Sequence, residues 1–173
     1  MIGKKMEQAL SDQVNAELYS AYLYLSMDSY FKSLNLNGFA NWMRVQTQEE
    51  VTHAMKIYDF INERGGSVTL KSIEGPPTKW DSPLAVLEAV YTHEQKVTGL
   101  INNLVDLAVQ EKDHATSIFL QWFVNEQVEE EDNVSKVLGQ LKLIKDSPQA
   151  LLMMDKGMGQ RVFTPPAAAE GGT

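Results

Sequence analysis

Four stretches of the chain, read at helical spacing, each place a carboxylate in the middle of an apolar stripe. The first stripe is Leu10, Val14, Glu17, Ala21 and Tyr24. The second is Phe39, Trp42, Met43, Gln46, Glu50, His53 and Ile57. The third is Leu87, Val90, Glu94, Val97, Ile101 and Leu104. The fourth is Phe119, Phe123, Gln127, Glu130, Val134, Val137 and Leu141. A stripe that faces a core should not hold charge, because an unpaired buried carboxylate costs several kcal/mol or takes up a proton. Four such groups and a histidine need a shared compensating charge, and bound metal is the simplest source.

Glu50 and His53 form a Glu-x-x-His pair, whose i, i+3 spacing puts both side chains on one helix face. One such pair is common by chance. Joined by Glu17, Glu94 and Glu130 from three other stripes, it becomes a specific signal. Hard carboxylate oxygens with one imidazole suit Fe²⁺, Mn²⁺ or Zn²⁺. Two metals sharing bridging carboxylates would balance the charge, and a pair of irons can pass two electrons to O₂ or peroxide. The competing reading is a set of surface carboxylates on slightly rotated helices. It suits one position and fails for four that concur. His93 and His114 lack matching partners and read as surface or packing residues. The eight methionines read mostly as core filler.

The elements that must position these groups are helices. The spacing predicts five, over about residues 5–34, 39–64, 83–112, 114–145 and 149–156. Ser82 and Pro83 mark the third start, Asp113 the fourth, and Gly65-Gly66 the second stop. The short links predict antiparallel hairpins for helices one and two and for helices three and four. The link from Gly65 to Asp81 has 17 residues, which reach roughly 55 Å extended, whereas a 26-residue helix is only about 39 Å long. It can run the length of a bundle and make helices two and three parallel. The expected fold is all-α, a four-helix bundle with one long crossover and a short fifth helix. At about 1.5 Å per residue, Glu17, the Glu50–His53 pair, Glu94 and the Gln127–Glu130 pair all fall about 17–26 Å along it. They can meet at mid-bundle.

An internal echo supports a duplicated hairpin. Trp42 is followed by Gln46, Glu49 and Glu50, and Trp122 by Glu126, Glu129 and Glu130 at the same offsets. The chain has no cysteine, which excludes disulfides, thiolate metal sites and cysteine nucleophiles. Its net charge of −8 argues against a nucleic-acid partner. Seven acids face the expected site: Glu17, Glu49, Glu50, Glu94, Glu126, Glu129 and Glu130. Without them the balance is 15 − 16 = −1, so the acidity concentrates there. Glu131 and Asp132 point off the stripe and read as a solvated face. No apolar run approaches a membrane span and no signal-peptide pattern opens the chain, so a cytoplasmic protein is the expectation. One domain over residues 1–163 is expected, with a Pro-, Ala- and Gly-rich tail at 164–173 that reads as disordered.

Three segments carry a resemblance: Asn15 to Tyr22, Gln48 to Ala54, and Gln121 to Glu131. Through them the chain resembles the non-haem ferritins of bacteria and archaea, over about residues 5–165. The resemblance implies iron storage and a ferroxidase that oxidises Fe(II) with O₂ or H₂O₂. Glu17, Glu50 and His53 would hold one iron. Glu94 and Glu130 would hold the second, with Glu50 bridging and Gln127 beside them. Glu49, Glu126, Glu129 and Glu130 match a third iron site. Tyr24 and Trp122 match aromatic residues near the centre that can supply an electron or a hydrogen bond; plain core packing is the alternative for both. The resemblance also implies a shell of 24 subunits around a ferric mineral. Haem is not expected, since Val51 stands where haem-containing relatives place methionine and Gln127 where they place a second Glu-x-x-His. Two other readings remain: a two-iron redox enzyme, peroxidase or oxygenase, without storage, and a purely structural acidic bundle.

Overall fold

The computed structural model describes residues 1–144 and 147–165. Five helices form: α1 (Lys4–Ser33), α2 (Asn37–Glu63), α3 (Pro83–Gln110), α4 (His114–Ile144) and α5 (Pro148–Met158). Most of the tail expected to be disordered lies outside the described residues.

The helix starts follow local chemistry. Ser82 Oγ accepts from Ala85 N–H at 3.1 Å with Pro83 next to it, and Asp113 Oδ1 accepts from Thr116 N–H at 3.2 Å. The N-terminus of α2 has no side-chain cap of its own. Asp155 of α5 supplies one, accepting from Gly38 N–H at 2.8 Å and Phe39 N–H at 2.9 Å. A Cβ on Gly38 would lie 1.6 Å from the Asp155 carbonyl oxygen, so only glycine lets α5 seat here. At the other end of α2, Gly65 adopts φ +72°, the left-handed turn that ends the helix.

The crossover runs as its length predicts. Lys71 N–H donates to Asn15 Oδ1, Ser26 Oγ donates to the Pro77 carbonyl, and Trp80 packs on Tyr30. The link thus tracks α1 from its first half to its end. It delivers α3 parallel to α2, and α1 pairs with α2 and α3 with α4 as hairpins.

The core is in two parts. One contains Leu23, Tyr24, Met43, Val90 and Val134, and the other Val14, Ala54, Val97 and Phe123. On every long helix a buried polar step separates them: Glu17, then Gln46 to His53, then Glu94, then Gln127 and Glu130. The fourth stripe needs one adjustment. Leu120 and Leu138 are buried in place of Phe119 and Val137, which are half-buried. Both registers fit the helical period. Phe119 instead stacks on Phe60 at the rim, with ring centroids 3.8 Å apart. No helix among the described residues is long and apolar enough to cross a membrane.

Candidate metal centre

Glu17 on α1 and Glu50 and His53 on α2 each offer a ligand atom, and the three atoms lie within 4.8 Å of one another. All three side chains are buried. His53 Nδ1 stands 3.7 Å from Glu50 Oε2. Gln13, one turn before Glu17, donates to Glu17 Oε1 at 2.8 Å, and Glu17 Oε2 is buried with no hydrogen-bond partner. Such an orphan oxygen is expensive unless a proton or a cation meets it.

Glu94 and Glu130 approach from α3 and α4, each tied to a neighbour. The Tyr24 hydroxyl donates to Glu94 Oε1, and Gln127 Nε2 donates to Glu94 Oε2 at 3.2 Å and also reaches Thr98 Oγ1. Gln46 Nε2 donates to Glu130 Oε2 at 2.9 Å. Tyr24 is fully buried, whereas Trp122 is half-buried and sets its edge on His53 with centroids 5.4 Å apart.

The electrostatics follow from burial without counter-charge. Burial lifts the Glu17 pKa to about 7, opposed by hydrogen bonds with the Gln13 amide and the Glu50 carboxyl and helped by nearby Glu94. Burial, then the Glu94, Glu17 and Glu130 carboxylates, push Glu50 well above the usual range. Glu130 rises to about 8, chiefly by burial and then through Glu94 and Glu49. Burial and then the Lys56 ammonium lower His53 to about 4, so at neutral pH it is a neutral imidazole with a free ligand nitrogen. Four buried carboxyls whose proton affinity is raised and that have no bonded cation form a hard donor set, which a divalent ion can occupy by displacing protons.

Among the described residues, no second set of three converges as closely. Glu49 and Glu126 are half-buried and Glu129 is exposed. Glu49 is instead bonded to Arg161 at 2.6 Å. Sequence reasoning missed that partner, which lies past α5 and carries no motif. It also missed Gln13, whose place four residues before Glu17 was a usable helical signal. His93 packs as read, between Tyr19 and Tyr24, and it shares a 2.8 Å hydrogen bond with Ser20. His114 is exposed. Glu131 differs from the solvated face expected of it: it is half-buried and accepts from the Thr98 hydroxyl.

A four-helix bundle whose helices each send a carboxylate to one buried level defines a carboxylate-bundle protein of the ferritin-like class. A profile of the ferritin family, described as the ferritin-like domain, matches residues 7–144. The chain is 43% identical over 161 residues to a bacterial non-haem ferritin of Bacteroides fragilis, covering 93% of this chain and all of that one. It is 37% identical over 163 residues to one from Staphylococcus aureus, covering 94% and 98%. An open-pore ferritin of the hyperthermophilic archaeon Archaeoglobus fulgidus superposes with a TM-score of 0.93 at 57% identity, over 94% of this chain and 99% of that one. The chain belongs to the ferritin family, in its bacterial and archaeal non-haem branch.

Proposed function

We propose that this protein is an iron-storing ferroxidase. Fe(II) is its substrate and cargo. Glu17, Glu50 and His53 hold one ferrous ion, and Glu94 and Glu130 hold a second, with Glu50 between them and Gln127 orienting Glu94. The observation that carries this reading is the convergence of Glu17, Glu50 and His53 within 4.8 Å, with Glu17 Oε2 unpartnered. Two ferrous ions each give up one electron. O₂ takes both with two protons and leaves as H₂O₂; where H₂O₂ is the oxidant, it leaves as two waters. The carboxylates favour the product state, because negative charge binds Fe³⁺ more tightly than Fe²⁺. Carboxyls that release protons as iron enters are a local proton source for the reduced oxygen. Tyr24, bonded to Glu94, is placed to position that ligand or to lend an electron. Glu49, Glu126 and Glu129, sharing Glu130 with the centre, form the outer, third position at the rim.

The ferric product is stored as mineral within a cytoplasmic shell of 24 copies, built from the domain at residues 1–163. Exposed apolar side chains support assembly: Tyr22 and Leu25 on α1, Val51 and Met55 on α2, Leu70 and Ile73 on the crossover, and Leu152 and Met153 on α5. The test is anaerobic Fe(II) loading of the metal-free protein followed by air, with particle mass and iron per subunit read together. A shell-sized particle retaining tens of irons per subunit is expected. A small oligomer holding only the two or three ions of the bundle would overturn storage and favour a redox enzyme.

A further inference from the structure

Glu49 lies on α2 at the rim of the buried polar layer, and a residue far along the chain answers its charge. Arg161 stands three residues past α5. One of its terminal guanidinium nitrogens donates to Glu49 Oε2 at 2.6 Å, and the other donates to Gln46 Oε1. Gln46 passes the contact inward through its 2.9 Å bond to Glu130 Oε2. The guanidinium also lies 4.7 Å from the centroid of the Trp42 ring, and Asn41 Nδ2 holds the Arg161 carbonyl oxygen at 2.9 Å. A loose surface ion pair is not fixed on so many sides. The planar fork of arginine meets both acceptors at once, which the single ammonium of lysine cannot do in the same geometry.

A hollow of about 400 Å³ opens beside this contact, lined by Glu49, His53, Lys56, Trp122, Glu126 and Phe163. It reaches inward to His53, so a cation entering here meets Glu49, Glu126 and the Lys56 ammonium on its way.

We propose that Arg161 is a positioning residue of the centre: it is the resident counter-charge of Glu49, braces Glu130 through Gln46, and must be displaced by any metal ion that binds Glu49. This rests on the functional reading above. It follows that the rim is a weak stopping place by construction. An ion passing inward finds Glu49 already paired and settles at Glu17, Glu50 and His53, which have no such partner. A third ion is held only when Arg161 swings away.

The test is Zn²⁺ titration of the intact, metal-stripped assembly by calorimetry, since Zn²⁺ fits the donors and has no redox chemistry. Arg161→Gln is expected to tighten the weakest Zn²⁺ site by about tenfold or more, or to bring it into measurable range. The tightest site should stay within about twofold. Arg161→Lys keeps the charge beside Glu49 but cannot hold Gln46 at the same time, so the weakest site is expected to fall between the wild type and Arg161→Gln. A merely structural role moves all sites together, or none. An unchanged weakest site in Arg161→Gln, or Arg161→Lys behaving like Arg161→Gln, overturns the proposal. Should Arg161→Gln fail to assemble, Asn41→Ala decides. Freeing the Arg161 backbone from Asn41 should tighten the weakest site by about threefold, and no change overturns the proposal. The functional reading fails by a different result, an unchanged isotherm in Glu17→Ala.

Discussion

Helix α1 carries two buried carboxylates eleven residues apart, Glu17 and Asp28, each 1% exposed. The chain treats them in opposite ways. Asp28 Oδ2 accepts from Arg44 Nε at 2.9 Å and from Lys32 Nζ at 3.1 Å, and the same ammonium stands 3.0 Å from Oδ1. Glu17 has the neutral amide of Gln13 and the Glu50 carboxyl beside it, and no cation. A carboxylate that serves structure comes with its cations already in the sequence. One left without them faces a burial cost that only a proton or a ligand removes. The same contrast separates the rim from the centre, since Glu49 has Arg161 and Glu50 has no cation bonded to it.

Four experiments break or sharpen that contrast. The largest effect is expected from Glu17→Ala, Glu50→Ala and Glu130→Ala combined. The initial rate of Fe(II) oxidation, followed by stopped-flow absorbance, should fall about 100-fold or more, and mineral should not form. None of the removed carboxyls has a cation bonded to it, but Gln13 and Gln46 lose their acceptors, so folding of the metal-free variant is checked by circular dichroism. Rapid oxidation retained in this variant would sink the site assignment.

Arg44→Ala should do the reverse. It leaves Asp28 with Lys32 alone and should cost about 2 kcal/mol in chemical unfolding, below the usual figure for a broken buried pair because Arg44 is half exposed. Zn²⁺ affinity should be unchanged; a large loss would mean the two regions are coupled.

The third test is pH. A carboxyl whose folded pKa is raised keeps a proton in the folded chain that the unfolded chain has already released. That contribution is full below about pH 4.5 and is lost as pH rises through about 7 for Glu17 and about 8 for Glu130. The metal-free protein should therefore lose thermal stability between pH 5 and pH 8. Saturating Zn²⁺ should abolish or reverse that slope. A slope indifferent to Zn²⁺ would show that the carboxyls are not its ligands.

His93→Gln should give the smallest effect. His93 is bonded to Ser20 and packed on aromatic rings, so Zn²⁺ affinity and oxidation rate should stay within about twofold. A tenfold loss would place His93 in the metal chemistry.

Much of the central layer was legible because helical periodicity is local. Glu17, Glu50, His53, Glu94 and Glu130 were all read from stripes, and all five are buried. Asp28 lies four residues past Tyr24 with Lys32 at i, i+4, a usable local signal that was not used, whereas its second partner Arg44 sits on another helix and no spacing rule links those two. The stripe on α4 was read with Val137 where Leu138 is buried, because both fit a 3.6-residue period and only the packing neighbours choose.

By itself the sequence determined the five helices, the hairpin order, the reach of the crossover and the depth at which the acids sit. These depend on rise per residue, caps and periodicity, which neighbouring residues set. Only the tertiary structure decided which carboxylates have cations and which do not. Arg161 finds Glu49, and Asp155 caps α2 through Gly38, across more than a hundred residues of chain. Such contacts arise where chain folding brings distant side chains to one place, and no local pattern records them.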